Sequence, residues 1–250
     1  MVLDNIIAQK QTEVEQLPEH NLQDIPINHK DMVSAIMYKP KAIIGELKSK
    51  SPSEGIICQP YNPIDIAHHY AQGGVAAISV LTDQHFFGGS FKDLYKVSKY
   101  IDLPTLCKDF IIDEKQIFQA RLNGASACLL IVRILTDEQL NHLNHLIERL
   151  GMTALVEIFD EVDLERALKM KPKMIGINNR CLNTLKMDMD NAKRLKPKIP
   201  NSCLVLSLSG AKTPEEANQI ASEFDAVLIG TALMKAENKV AFLKLAQDLS

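Results

Sequence analysis

The stretch "IIGELKSKSPS", residues 43–53, begins like a buried strand and ends in charged and hydroxyl side chains. Short, nearly continuous apolar runs are typical of parallel strands that are covered on both faces. Here Glu46, Lys48 and Lys50 follow the apolar start within a few positions, and two serines come directly after them. We interpret these polar groups as a functional site at the end of a strand.

Seven further apolar runs follow along the chain and are separated by helical patterns. The eight runs lie at 41–48, 76–83, 104–110, 127–133, 153–158, 174–179, 203–209 and 226–231. Helix starts between them are indicated by capping pairs, namely Asp113 with Gln116, Thr136 with Gln139, and Thr213 with Glu216.

Eight strand–helix units predict an α/β fold of the closed (β/α)8 TIM-barrel type. A doubly wound open sheet is the alternative. It usually has fewer strands and a glycine-rich first turn, whereas no G-x-G-x-x-G occurs here. We expect one barrel domain over residues 1–250, in which residues 1–40 form an N-terminal helical extension. Residues 4–16 are predicted to form a helix that packs on the barrel or caps its mouth.

The composition and charge of the chain argue against a nucleic-acid-binding, membrane-spanning or disulfide-rich protein. The chain of 250 residues is 46% hydrophobic and 24% charged, with a formal net charge of −3. No overall basic field favours nucleic acid or an anionic membrane as a partner. The five cysteines form no C-x-x-C pair, which indicates a reducing cytoplasm and argues against a zinc site. No apolar run is long enough for a membrane span, and the start lacks a secretory signal pattern.

Several of the other predicted strands also end in polar groups. In a (β/α)8 barrel the active site lies at the C-terminal ends of the strands. Because side chains alternate with period two, Glu46 shares a face with Lys48, and Asn178 shares one with Arg180. If these faces point inward, one pocket holds Glu46, Lys48, Lys108, Glu157, Asn178 and Arg180. The alternative for any single residue is a charge at the rim that is bonded to a loop.

The seventh and eighth predicted strands end in "SLSG" (207–210) and "LIGT" (228–231). Each places a glycine beside a hydroxyl residue. Glycine lets an anion approach backbone N–H groups, and the N-terminus of a following helix attracts it. Since these two loops commonly bind phosphate in such barrels, the sequence predicts a phosphate site there. An ordinary turn is the alternative.

Taken together, the motifs resemble the indole-3-glycerol-phosphate synthase family of tryptophan biosynthesis. They run through nearly the whole chain as "LDNIIAQKQTEVE", "IGELKSKSPSEG", "ISVLTDQHFFGGS", "PTLCKDFI", "GASACLLI", "ALVEIFDEVDLERAL", "IGINNRCL" and "IGTALM". The resemblance implies ring closure of 1-(2-carboxyphenylamino)-1-deoxyribulose 5-phosphate with loss of CO₂ and water. It implies no metal and no organic cofactor.

The resemblance also implies roles for particular residues. Lys108 matches the general acid, Lys48 the second lysine, and Glu157 the base in dehydration. Glu46 and Asn178 match groups that position the substrate and stabilise charge. The expected substrate contacts are Arg180, Phe86, Phe110, Ile131 and Leu182, and the expected phosphate contacts are Ser51, Ser209, Gly210, Gly230 and Thr231. For the apolar residues, plain packing is the alternative.

One position departs from the family pattern. Leu208 stands in "LSLSGA" where the family usually carries a glutamate, and a leucine cannot hydrogen-bond or accept a proton. We therefore expect a working synthase with altered kinetics or pH dependence. The alternatives are a catalytically weakened or non-catalytic phosphosugar-binding paralogue and a phosphosugar isomerase on a similar barrel. The expected partner is a small-molecule phosphosugar, and the expected assembly is a monomer or weak dimer.

Overall fold

The structure, a computed structural model, describes residues 2–22, 25, 30–181 and 184–248, and eight parallel strands close a barrel. The strands in chain order are β1 (Ala42–Leu47), β2 (Lys50–Ser51), β3 (Gly55–Ile56), β4 (Ala77–Leu81), β5 (Thr105–Lys108), β6 (Ala127–Ile131), β7 (Thr153–Ile158), β8 (Met174–Asn178), β9 (Leu204–Leu208) and β10 (Ala226–Ile229). β1 pairs with β10 as well as β4, which closes the ring, while β2 and β3 form a separate hairpin. The TIM-barrel prediction is confirmed.

Helices follow the barrel strands, and two more precede β1 among the residues that the structure describes. They are α1 (Val2–Glu15), α2 (Met32–Met37), α3 (Pro63–Gln72), α4 (Phe91–Tyr100), α5 (Glu114–Leu122), α6 (Asp137–Arg149), α7 (Glu161–Leu168), α8 (Asn191–Leu195), α9 (Pro214–Glu223), α10 (Thr231–Lys235) and α11 (Lys239–Ala246). The three predicted N-caps, Asp113, Thr136 and Thr213, each accept a backbone N–H of the first helical turn. Within the described residues, no helix is both long and apolar enough to cross a bilayer.

Side chains alternate between two cores along each barrel strand. In β1, Ile43 packs outward among the helices, whereas Ile44 lies inside the barrel. In β9, Val205 packs outward and Leu206 inward. The period-two alternation of strands therefore directs every second residue into the barrel, and it carries on to the polar residues at the strand ends.

The predicted strands are correct in number and order, but most extend too far. The predicted run 104–110 corresponds to Thr105–Lys108, and 226–231 corresponds to Ala226–Ile229. The surplus residues lie in the loops before and after the strands; those at the carboxyl ends, such as Asp109 and Gly230, lie at the mouth of the barrel. The hairpin of β2 and β3 was not predicted, because two-residue strands carry no recognisable periodicity.

Candidate active site

A cavity of about 650 Å³ opens at the carboxyl ends of the barrel strands. All six residues of the predicted pocket line it: Glu46, Lys48, Lys108, Glu157, Asn178 and Arg180. They come from β1, β5, β7 and β8 and the turns that follow these strands. The alternation described above brings them together, because each lies on the inner face of its strand or just beyond it.

The centre of the cavity holds one carboxylate between two amines, which we call the open cluster (Glu46, Lys48 and Lys108). Lys48 Nζ lies 2.8 Å from Glu46 Oε1, and Lys108 Nζ lies 3.7 Å from Glu46 Oε2. Burial works against ionisation of Glu46, but the two ammonium groups outweigh it and hold its pKa below the ordinary value. Glu46 is therefore an ionised acceptor that orients both lysines.

Glu157 shows the opposite electrostatic behaviour. Burial raises the pKa of Glu157, and this effect exceeds the opposing influence of Lys108 and of the Asn178 amide. Asn178 Nδ2 donates a hydrogen bond of 3.0 Å to Glu157 Oε1. A carboxyl group with a raised pKa that is held in one orientation binds a proton more readily than an ordinary glutamate, which suits it to accept one from a substrate.

Arg180 lies just beyond β8 and projects into the cavity. Its backbone N–H donates to Asn178 Oδ1 at 2.9 Å, and its guanidinium donates to the Leu185 carbonyl at 3.3 Å. The guanidinium has further donors, which suit a carboxylate or phosphate ligand.

The five residues predicted to bind phosphate also belong to this cavity. Ser51, Ser209, Gly210, Gly230 and Thr231 all line the cavity. Gly230 precedes α10, and a Cβ at this position would lie 2.3 Å from Glu46 Oε1 and 3.0 Å from Lys48 Nζ. A side chain there would displace the open cluster, so glycine is required for both groups to occupy this end of the barrel.

Of the residues predicted to contact the aromatic ring of the substrate, only some lie on the cavity wall. Phe110 and Ile131 line the cavity. Phe86 packs its ring against His85 with the centroids 4.6 Å apart, while its neighbour Phe87 lines the cavity. Leu182 lies outside the described residues. The 83–89 loop has no strand periodicity, so the sequence could not show which phenylalanine turns inward.

Leu208 lies on the inner face of β9, is 1% exposed, and lines the floor of the cavity. Its Cδ1 would lie 2.6 Å from a Cβ at Gly176, so the glycine leaves the space that this leucine fills. Ser207 points to the other face, where its hydroxyl accepts a hydrogen bond from Asn179 Nδ2 at 3.2 Å. The serine therefore does not supply a polar group at the position of Leu208.

Sequence reasoning missed several residues of the wall. They include Leu3 and Ile6 of α1, Glu54 of the β2–β3 turn, Phe87, Asp109, and the cations Lys212 and Lys235. Leu3 and Ile6 belong to an apolar stripe that continues to Val14, and this helical spacing is a signal that could have identified them as residues facing the barrel. Lys235 donates to Glu54 Oε2 at 2.7 Å, and nothing in the local sequence predicts that pair.

A (β/α)8 barrel whose strand ends converge on lysines, carboxylates and an arginine belongs to the class of barrel enzymes that act at the C-terminal face. The family model described as indole-3-glycerol phosphate synthase matches residues 3–245. The chain therefore belongs to the indole-3-glycerol phosphate synthase family.

Curated relatives agree with the family match. The chain is 41% identical to the indole-3-glycerol phosphate synthase of Chloroherpeton thalassium over 96% of its own length and 97% of that protein. It is 42% identical to the protein of the same name from Acetivibrio thermocellus, over 95% of this chain and 96% of that one.

Solved structures with the same fold are more distant in sequence. Tryptophan synthase subunit alpha from Legionella pneumophila superposes with a TM-score of 0.64 at 14% identity, covering 88% of this chain and 98% of that one. The 3-hexulose-6-phosphate synthase from Salmonella typhimurium gives a TM-score of 0.63 at 13% identity, covering 83% of this chain and 97% of that one. At such identities the likeness supports the barrel fold alone.

Proposed function

We propose that this chain is an indole-3-glycerol-phosphate synthase, a carboxy-lyase of tryptophan biosynthesis. It converts 1-(2-carboxyphenylamino)-1-deoxyribulose 5-phosphate to indole-3-glycerol phosphate, CO₂ and water. The observation that carries the proposal is the open cluster beside the Glu157–Asn178 pair in one cavity. Family membership over residues 3–245 supports it. We expect the protein to work in the cytoplasm, as a monomer or weak dimer, without a metal or organic cofactor.

The first step forms a carbon–carbon bond. The ring carbon that bears the carboxylate attacks the ribulose carbonyl carbon, and the carbonyl oxygen gains a proton as the bond forms. Lys108 donates this proton as an ammonium acid. Glu46 keeps the two ammonium groups in place through ion pairs of 2.8 and 3.7 Å, so the donor needs little reorganisation.

Loss of CO₂ then restores the aromatic ring, because the electrons of the broken bond return to it. Dehydration follows: the hydroxyl leaves as water with a proton from Lys48, and Glu157 removes a proton from the carbon beside the nitrogen. Two protons are donated and one is accepted over the cycle. The net uptake of one proton from solvent balances the loss of the substrate's carboxylate charge.

Binding is assigned to the ends of the same cavity. Ser51, Ser209, Gly210, Gly230 and Thr231 hold the phosphate, and Arg180 contacts the substrate carboxylate. Phe110 and Ile131 pack against the aromatic ring, and Phe87 joins them in place of Phe86. This arrangement is supported by the position of each residue on the cavity wall.

The test is steady-state turnover of the proposed substrate, with formation of indole-3-glycerol phosphate followed by its indole fluorescence and CO₂ measured in parallel. We expect equal amounts of both products from the wild type. Lys108→Met should lower kcat by on the order of 10²–10⁴-fold, since it removes the general acid. Lys169→Met is the matched control, because Lys169 is an exposed lysine paired with Asp137 outside the cavity. A folded wild type that binds the substrate without turnover would instead identify a phosphosugar-binding paralogue.

A further inference from the structure

A second group of charges lies at the same end of the barrel, and it is buried. Lys10 of α1 is 2% exposed, and its Nζ lies 2.9 Å from Asp109 Oδ1 and 3.1 Å from Asp83 Oδ2. Both aspartates are buried as well. We call Lys10, Asp83 and Asp109 the sealed cluster. Glu13, at its edge, is partly exposed and accepts from Lys10 Nζ at 2.6 Å.

The lysine is needed for the charge balance of this cluster. Two carboxylates buried side by side repel each other and lose hydration, so each requires a nearby cation or hydrogen-bond donors. Burial alone would lower the pKa of Lys10, but Asp109 and Asp83 together raise it above its ordinary value. Lys10 is thus a permanent cation that joins α1 to the loops after β4 and β5.

On one side of the sealed cluster, Asp109 lies next to the proposed general acid. We call this side, with Asp109, one arm of the cluster. Asp109 directly follows Lys108, the last residue of β5. Its Oδ1 accepts the Phe110 N–H at 2.8 Å, and its Oδ2 accepts the Thr82 hydroxyl at 2.7 Å. The carboxylate therefore fixes the backbone on the C-terminal side of Lys108. Any rotation of this segment would change the direction from which the Lys108 ammonium enters the cavity.

The other arm is Asp83, which begins the 83–89 loop that carries Phe87. Asp83 Oδ1 accepts the Phe86 N–H at 2.7 Å and the Phe87 N–H at 3.1 Å. The Asp83 carbonyl also accepts the Gly89 N–H at 2.8 Å. One carboxylate thus shapes the 83–89 loop, whose Phe87 lines the cavity. The same ammonium contacts both arms.

We propose that Lys10 is a positioning residue for the ring-closure reaction. Its ammonium, held between Asp83 and Asp109, fixes the segment that carries Lys108 and the loop that carries Phe87. Lys10 acts through these aspartates and is not itself on the cavity wall. The inference rests on the proposed function, because it is the general-acid role of Lys108 that makes its orientation matter.

The test compares wild type with Lys10→Met, which keeps the length of the side chain and removes its charge. We expect kcat to fall by on the order of 10–100-fold, as for a misplaced catalytic group, with KM within about threefold. Glu13→Gln is the matched control, since it removes the outer partner of the same ammonium and leaves the sealed cluster intact. Its kcat should stay within about twofold of wild type.

A double-mutant cycle separates positioning from general stabilisation. If Lys10 acts through Asp109, Asp109→Asn should lower kcat on its own, and the Lys10→Met/Asp109→Asn double variant should lose little more than Lys10→Met alone. All assays are run well below each variant's melting temperature. Should Lys10→Met fail to fold, wild-type kcat in Asp109→Asn would still overturn the proposal, because that variant removes the group through which Lys10 acts on Lys108.

The outcomes are distinct. A lower melting temperature with wild-type kcat in Lys10→Met, wild-type kcat in Asp109→Asn, or fully additive losses would each overturn the positioning role. Absence of turnover in the wild type would instead overturn the proposed function. The expected result is a lower kcat, with little change in KM, in both single variants. The double variant should show about the same loss of kcat as Lys10→Met alone.

Discussion

The open cluster and the sealed cluster use the same groups at the same end of the barrel, yet their charge ratios are reversed. The open cluster has two ammonium groups around one carboxylate, and its lysine side chains are 13% and 21% exposed. The sealed cluster has one ammonium group between two carboxylates, and its lysine is 2% exposed. Where the cations exceed the anions, the surplus faces the cavity and can meet an anionic substrate. Where the carboxylates exceed the cations, the buried ammonium pairs with protein groups and connects α1 to the loops after β4 and β5.

The largest effect is expected from removing the carboxylate of the open cluster, which tests whether Glu46 holds the two lysines in place. Glu46→Gln should lower kcat by on the order of 10²–10³-fold, because both lysines lose the charge that orients them. Steady-state kinetics with the proposed substrate measures the loss. Glu161→Gln, an exposed carboxylate paired with Lys198, should leave kcat unchanged. A Glu46→Gln enzyme with nearly normal kcat would mean that the lysines are positioned without it.

A second test adds a carboxylate to the cavity floor. Leu208→Glu should lower the free energy of unfolding by about 1–3 kcal/mol, because a buried apolar side chain is replaced by a polar one. Leu208→Gln is the matched control and carries the same destabilisation without the charge. We expect turnover to be several-fold higher in the Glu variant than in the Gln variant, because the added charge helps to arrange the lysines. Equal turnover of the two would show that charge at this position has no part in catalysis.

Neutralising Glu46 and neutralising Glu157 should change the stability of the protein in opposite directions. The pKa of Glu46 is lowered by folding, so its contribution to stability is present above the ordinary value of 4.5 and is lost as pH falls through the folded pKa. The pKa of Glu157 is raised, so the stability linked to its protonated form is lost as pH rises through the folded pKa. At neutral pH, Glu46→Gln should therefore lower the melting temperature and Glu157→Gln should raise it.

Thermal melts between acid and neutral pH check this prediction, and shifts of a few degrees correspond to about 1 kcal/mol in a protein of this size. The effect of Glu46→Gln should shrink towards acid, where the wild-type carboxylate is also neutral. Shifts of the same sign for the two variants at neutral pH would contradict the assigned directions. Activity provides the contrast, since Glu157→Gln should gain stability while losing the proposed base.

The smallest expected effect concerns salt. The surplus cations of the cavity attract an anionic substrate, so KM should rise by roughly threefold to tenfold between about 20 and about 300 mM KCl. The side chains of the sealed cluster are buried, and their contribution to the melting temperature should change little over the same range. Parallel kinetic and melting series test both statements. A KM that does not depend on salt would show that the surplus charge does not assist binding.

Much of this arrangement could be predicted from local sequence. Strand number, strand order and three helix N-caps follow from short-range patterns, and period two correctly places Glu46 with Lys48 and Asn178 with Arg180. The two glycine turns also fall on the cavity wall. These features share one property: each is determined by residues that are near one another in the chain.

The remainder depends on contacts that local patterns do not encode. Lys10 meets Asp109 only because the barrel brings α1 next to the end of β5, and a lysine within an apolar helical stripe is an ambiguous signal. The choice of Phe87 over Phe86 is set in an irregular loop by the hydrogen bonds of Asp83. The Glu54–Lys235 pair likewise joins distant segments across the mouth.

The sealed cluster has a consequence for the order in which the chain can assemble. Its members span residues 10 to 109, whereas the barrel is closed by the pairing of Ala42 in β1 with Ala226 in β10. A ribosome making this protein has therefore released every partner of Lys10 long before the last strand exists. The contacts of Asp83 and Asp109 belong to the early half of the nascent chain, and the two glycine turns on the cavity wall, at Gly210 and Gly230, belong to the late half.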